Sequence, residues 1–307
     1  MPALKSVDVA IQVYGKPLMT GVAISSLLEH SGKWIDRIYL IEEKIQPNNS
    51  DFSYLSRHFK DRIIHVKPRF YMGLKASRKS LHWFTPYRRS IRYQYAFEKS
   101  KNPYLFTIHN DMLFHGDILE AYLAQMKSGH FAGVGPIGQC WNCPAFYAKK
   151  CTPDTYGDYK PDWKELGELS EQFYAPRKEI YQHFAANNQS WPLPECRLNE
   201  WAALIDLKQV RPYVRKLIFG QMDLDIATRW FSILNHKGLR FKNSSIDPYA
   251  THVWTGVEGE ENSGLSTQNN INLYERAEMQ SYQKLVNEYR FSEEELEATM
   301  STKDALV

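Results

Sequence analysis

Val7-Asp8-Val9-Ala10-Ile11-Gln12-Val13-Tyr14, followed by Gly15-Lys16-Pro17, opens the segment on which the fold assignment turns. The octet alternates in polarity and is rich in β-branched residues, so it predicts a strand, and Gly15-Lys16-Pro17 reads as a turn. From Leu18 to His30 the apolar residues Leu18, Val22, Ile24, Leu27 and Leu28 recur at helical spacing, and Ser31-Gly32 closes the run. Asp36 to Glu43, centred on Ile38-Tyr39-Leu40-Ile41, predicts a second strand. Strand, helix and strand within about forty residues form a βαβ unit, which calls for a parallel pair joined by a right-handed crossover. The expected fold class is α/β, with a mostly parallel sheet flanked by helices.

Further along, Phe52 to Phe59 predicts a helix, and Arg62 to Val66 a short strand or a buried turn. Residues 88–100 predict one helix, broken by Asn102-Pro103. Tyr104-Leu105-Phe106-Thr107-Ile108 is the clearest buried strand, and Asp117 is placed to cap a helix over 118–126. A strand is expected over 131–136. From Cys140 to about Arg197 the chain is rich in Pro, Trp, Tyr and Asn without a sustained period; helices are expected over 163–173 and 177–184. An irregular stretch of that length inside a domain is usually functional. Asn199 to Leu207 reads as strand or helix, 225–237 as a helix ended by Gly238, 239–243 as a short strand, and 270–297 as a helical tail.

The chain has 307 residues, 43% apolar and 24% charged, enough for a sizeable core and unlike a disordered chain. A formal charge of +3 does not imply a nucleic-acid partner. The 19 Tyr and 8 Trp fill cores and also stack on sugars and bases. From Lys60 to Lys101 the chain is strongly basic, either a solvated face or a phosphate-attracting one, and the tail after Glu258 is acidic. The N-terminus shows no signal-peptide pattern, and no apolar run approaches the ~20 residues that span a bilayer. The expectation is a cytoplasmic protein whose membrane contact, if any, is peripheral. Cys140-Trp141-Asn142-Cys143 is a C-x-x-C pair; with Cys151 and Cys196 it forms a four-thiolate zinc set, or the four are ordinary buried or loop cysteines.

In open α/β sheets ligands sit beyond the carboxyl ends of strands. Three polar clusters fall there: Tyr14-Gly15-Lys16, Glu42-Glu43, and His109-Asn110-Asp111. An acid at a strand end needs a cation, a donor or water to offset its desolvation. A divalent metal shared with a diphosphate is one such partner, and a solvated turn is the simpler explanation.

The order of these elements and the residues at their ends resemble the GT-A glycosyltransferases, in particular the family-2-like group. Arg88-Arg89-Ser90-Ile91-Arg92 through Tyr104-Leu105-Phe106-Thr107-Ile108-His109-Asn110-Asp111 is similar to that family's helix, strand and metal-binding triplet. His109 stands where the first acid often is, and Asp111 matches the last position. Met222-Asp223-Leu224-Asp225-Ile226-Ala227-Thr228-Arg229, followed by Gly238, resembles the family's E-D-x-D-x-x-x-R segment with Met222 in place of Glu. Read without the resemblance, Asp223 and Asp225 are helix N-terminal acids. His252, in Tyr249-Ala250-Thr251-His252-Val253-Trp254, is similar in place to an additional metal ligand.

The resemblance spans about residues 7–138 and 218–256. It implies a GT-A-like catalytic domain over 1–257, with 140–215 as an acceptor-side insertion, and a C-terminal helical extension over 258–307. It implies transfer of a sugar from a nucleotide-sugar donor to a glycan or lipid-linked acceptor, with inversion. Asp223 is then the base, and Asp111 and His252 hold manganese or magnesium. Tyr14, Glu42, Glu43, Arg88, Arg92, His109, Asn110 and Asp111 bind the donor. Two alternatives stand beside it: a nucleotidyltransferase, disfavoured because only Gly15 follows the first strand, and a non-catalytic or degenerate relative, zinc-stabilised, that binds an anionic polymer.

Overall fold

The structure, a computed structural model, describes residues 5–73, 75–189, 191–257 and 270–301. The βαβ unit forms as expected: β1 (Val7–Val13), α1 (Pro17–Ser31) and β2 (Ile35–Glu42). Helix α2 (Ser53–Phe59) and strand β3 (Ile63–Val66) follow, then the short helices α3 (Thr85–Arg88) and α4 (Gln94–Lys99). Strand β4 (Tyr104–Ile108) leads to β5 (Met112–Phe114), α5 (Ile118–Gly129) and β6 (Gly133–Gly135). Helices α6 (Pro144–Tyr147), α7 (Trp163–Gln172) and α8 (Lys178–Ala186) precede β7 (Ala202–Asp206) and α9 (Leu207–Val210). Helix α10 (Thr228–His236), β8 (Phe241–Asn243) and β9 (Ala250–His252) come next, and helices Ile271–Asn287 and Glu293–Ser301 close the described chain. Among the described residues no helix is long and apolar enough to cross a membrane.

The sheet order is β3-β2-β1-β4-β7-β6-β8. Strands β3 to β4 are parallel, β7 runs antiparallel to both neighbours, and β6 is parallel to β8. Alternation along β1 sorts its side chains. Val7, Val9, Ile11 and Val13 join Val22, Ile24 and Leu27 of α1, while Ala10 joins the core on the opposite face with Tyr39, Leu105 and Trp230. Both faces are therefore buried, as a sheet covered by helices requires. From β1 the chain moves outward to β2 and β3, then returns to place β4 on the other side of β1. The gap between β1 and β4 is thus a topological switch point, where an open α/β sheet leaves a crevice.

Three expectations needed correction. The single helix over 88–100 is split into α3 and α4, because Arg92 takes a positive φ of 29° and buries its guanidinium, which donates to the carbonyls of Gly220 (2.9 Å) and Gly73. The helix expected from Asp225 begins only at Thr228, after Ala227 in the left-handed region at φ 63°. The tail is two helices: Arg290 is left-handed at φ 61°, and the Phe291 amide turns back to the Leu285 carbonyl (3.1 Å). Residues 199–207, open between strand and helix, supply β7 in the middle of the sheet. The expected start of the C-terminal extension, at 258, lies outside the described residues.

Helix α1 carries its N-terminal cap from far along the chain. Lys16 is left-handed (φ 58°) and offers no side-chain cap, so the orphan amides of the first turn need another acceptor. The buried Glu278 carboxylate of the helix Ile271–Asn287 accepts from Leu18 and Met19, each at 3.1 Å, and the Tyr274 hydroxyl accepts from the Lys16 amide at 3.0 Å. Glu278→Ala leaves buried donors unpaired and is expected to lower stability by about 2–3 kcal/mol, seen as a lower urea midpoint at unchanged slope.

Candidate active site at the β1–β4 switch point

The parallel register pairs Ile11 with Ile108, so β1 and β4 deliver their following loops side by side. Gly15-Lys16 leaves one strand and His109-Asn110-Asp111 the other. The Asn110 amide joins them, donating to the Gly15 carbonyl (3.0 Å) and the Thr20 hydroxyl (3.2 Å). Lys16 Nζ meets Asp111 Oδ2 at 2.9 Å, with both side chains buried. Strand β5 then pairs antiparallel with β9, opposing Met112 to His252, and the Trp254 amide donates to the Asp111 carbonyl (2.9 Å). This second, two-stranded sheet carries His252 to Asp111 from 141 positions away in sequence (252 minus 111).

Asp111 Oδ1 lies 3.7 Å from His252 Nε2 and 3.9 Å from His109 Nδ1, and the two imidazole nitrogens are 3.4 Å apart. That oxygen is buried and has no hydrogen-bond partner among the described residues. Burial by itself would raise the Asp111 carboxyl, but Lys16, His109 and His252 outweigh it and hold the group well below the usual carboxylate range. Burial pushes the His252 imidazole down to about 4 despite the attraction of Asp111, so the ring is neutral at pH 7. The ring stacks on Trp201, with centroids 4.4 Å apart and planes 10° from parallel. A carboxylate oxygen without a partner, beside two imidazoles of which His252 is neutral, suits a divalent cation, which needs deprotonated donors. His109, Asp111 and His252 have ligand atoms within 4.8 Å of one another, the one such group among the described residues.

A second ring of charge orients this cluster. His109 Nε2 lies 3.6 Å from Glu200 Oε1; Glu200 Oε2 takes Arg197 Nη1 at 3.2 Å; Arg197 Nη2 reaches Asp225 Oδ2 at 2.6 Å. Burial acts to raise the Glu200 carboxyl, yet the His109 contact and Arg197 hold it down near 2. A carboxylate on the far side of an imidazole is the usual device for fixing a metal-binding histidine.

The other expected site residues divide. Glu43 is buried beyond β2 and accepts from the Met72 amide (2.9 Å); burial raises its carboxyl. Tyr14 is exposed beside Tyr71 and Glu43. Arg92 interacts electrostatically with Glu43, Glu200 and Asp225. Two residues are committed elsewhere, and a third stands at the surface. Arg88 is spent on Glu98, with Nε to Oε1 at 2.6 Å, because the break before α4 turns it back on its own segment. Glu42 is bound to His65 on the neighbouring β3, with Lys67 at 3.6 Å. Asp223 is at the surface, 3.1 Å from Lys79, while its neighbour Asp225 is the acid that connects to the cluster through Arg197. The four cysteines surround a separate cavity that shares no lining residue with the cluster.

Lys16, Glu200, Arg197 and Trp201 carry no role in the sequence reading. Lys16 was visible as the polar residue after the first strand. Arg197 ends the stretch without a period, Glu200 and Trp201 fall in the segment left open between strand and helix, and only the placement of β7 beside β4 brings them near His109.

No family model matches the chain, and no curated protein matches it. Among solved structures it is similar to core-mannan synthase A from Aspergillus fumigatus in a Mn/GDP form, at 13% identity over 92% of this chain and 85% of that one, with a TM-score of 0.44. It is similar to a mannosyltransferase from Pyrobaculum calidifontis in complex with GDP-Man and Mn2+, at 9% identity over 99% and 81%, with a TM-score of 0.48. Mouse xyloside xylosyltransferase 1 matches at 12% identity over 78% and 86%, with a TM-score of 0.40. Likeness at this level assigns neither substrate nor metal to this chain.

Because the Glu200 carboxyl is depressed in the fold, its contribution to stability is present above its unfolded value of about 4.3 and is lost as the pH falls toward 2. Glu200→Gln is expected to flatten the acid limb of the stability curve across that window, measured by urea unfolding at stepped pH.

Proposed function

We propose that this chain is a glycosyltransferase that moves a sugar from a nucleotide-sugar donor to a hydroxyl of a glycan or lipid-linked acceptor. One observation carries the reading: a buried, unpartnered carboxylate oxygen of Asp111, faced by His109 and His252, at the switch point of an open α/β sheet. Manganese or magnesium held by Asp111, His252 and His109 would supply positive charge to a leaving nucleoside diphosphate. The chain's own residues do the rest. Lys16 adds a fixed positive charge at the same loop junction, and Asn110 locks the two loops together. The exposed ring of Tyr14 offers a stacking face beside Glu43 for the nucleoside, and Arg92 balances the acids around it.

Asp223 is the candidate base. Asp225 is consumed by Arg197, whereas Asp223 stands at the surface with an exposed lysine as its ion-pair partner, open to an acceptor hydroxyl. Attack assisted in this way inverts the anomeric centre. Residues 1–257 form the catalytic unit in this reading, with 140–215 shaping the acceptor side and the C-terminal helices supporting the loop after β1.

The binding-protein alternative rests on free charge between residues 60 and 101. Arg88 and Arg89 are both paired with Glu98, Lys67 faces Glu42, Lys79 faces Asp223, and Arg92 is buried. Part of the basic segment is therefore engaged within the fold rather than free.

A thermal-shift series against UDP-, GDP- and TDP-sugars, with and without manganese, tests the proposal. One nucleotide is expected to stabilise the protein only with the metal, and Asp111→Asn to abolish that shift; no shift with any donor sinks the reading. Asp223→Asn is expected to keep the shift while turnover falls about 10²–10⁴-fold, and normal turnover would remove Asp223 as the base.

A further inference from the structure

All four cysteines of the chain, Cys140, Cys143, Cys151 and Cys196, line one small cavity together with Glu195. They come from separate places. Cys140 and Cys143 bracket a tight turn in which the Cys143 amide donates to the Cys140 carbonyl (2.9 Å), Cys151 follows α6, and Cys196 arrives from the segment before β7. The cavity has room for about 10 Å³, which admits an ion and excludes an organic ligand. None of the thiols is in a disulfide.

Glu195, one of the lining residues, also carries a polar atom that lacks a partner. Glu195 Oε1 takes Arg177 Nη1 at 3.1 Å, but its buried Oε2 has no hydrogen-bond partner among the described residues. Burial, then the neighbouring thiols, pushes Cys140 up to about 12 and Cys151 up to about 11, and burial also raises Cys143 and Cys196. Four thiols and a carboxylate residue converging on one ion-sized cavity make a donor set that a thiophilic cation can use.

We propose that Cys140, Cys143, Cys151 and Cys196 hold one structural zinc ion, with the Glu195 carboxylate beside it. Ligation releases the thiol protons to solvent and gives a four-thiolate centre of net charge −2, next to Glu195, on which Arg177 and Arg197 act electrostatically. No three of the sulfurs gather within 4.8 Å of one another. Binding therefore draws them inward, and Cys140 and Cys151, half-buried in the turns at either end of α6, are the ones placed to move. The centre would clip residues 140–151 to Cys196. The next residue is Arg197, which bridges Glu200 and Asp225 behind His109. Zinc would thereby brace the charge ring that orients the His109–Asp111–His252 cluster without belonging to it.

The test measures zinc in the full-length chain purified without chelator, as wild type, His252→Ala and Cys196→Ser. One zinc per chain is expected to survive His252→Ala and to be lost in Cys196→Ser. Cobalt exchanged into the His252→Ala protein is expected to give thiolate-to-cobalt charge-transfer bands, which a centre of imidazole and carboxylate cannot produce; this readout stands even where Cys196→Ser fails to fold. Zinc absent from His252→Ala, bound cobalt without those bands, or a disulfide among the four in the purified protein would each overturn the proposal. Loss of nucleotide binding has no bearing on these outcomes, so the zinc centre and the transferase reading fail separately.

Discussion

Lys16 and Asp111 form a buried ion pair, 2.9 Å long, between the loop that leaves β1 and the loop that leaves β4. Taking two charges out of water is costly, and such a pair is weak evidence for stability. What it supplies is position. Lys16 is left-handed where its side chain meets Asp111, and its amide donates to the Tyr274 hydroxyl. With Oδ2 committed to Lys16, the Asp111 carboxylate presents Oδ1 to His109 and His252. The pair therefore sets the direction of the one oxygen around which the site is built.

The surrounding structure is arranged to sustain that pair. Glu278 meets the amides at the start of α1, tying the end of the preceding loop to the helix Ile271–Asn287. Asn110 holds the two loops to each other, and pairing of β5 with β9 brings His252 to the same point. On the far side, Glu200, Arg197 and Asp225 carry alternating charge away from His109. A chain of alternating charges in a low-dielectric interior is stiff, because displacing one member leaves the next unpaired.

The legible parts of the chain were those governed by local rules. The βαβ unit, β4 and the Asp117 cap follow from period and capping chemistry, and Asp117 does accept from the Glu120 amide. Local rules failed where a distant partner overrode propensity. Residues 88–100 look helical, but burial of the Arg92 guanidinium against the Gly220 and Gly73 carbonyls splits them. Arg88 looked free for a phosphate, but Glu98, ten positions on, claims it. Glu200 and Trp201 had no signal, since their role depends on where β7 inserts.

The sequence by itself determined an α/β architecture, with polar clusters at the ends of its strands and an acid at 111 among them. It could do so because strand and helix periods are short-range properties, set by which side chains must leave water. The tertiary structure alone decided which clusters meet. Asp111 is joined by His109, His252 and Lys16, while Glu42 and Arg88 are held elsewhere by His65 and Glu98, and Asp223 stands at the surface beside Lys79. The physical reason is that a buried charge takes the nearest compensating partner that packing delivers, and that partner is fixed by sheet order and strand register rather than by spacing along the chain.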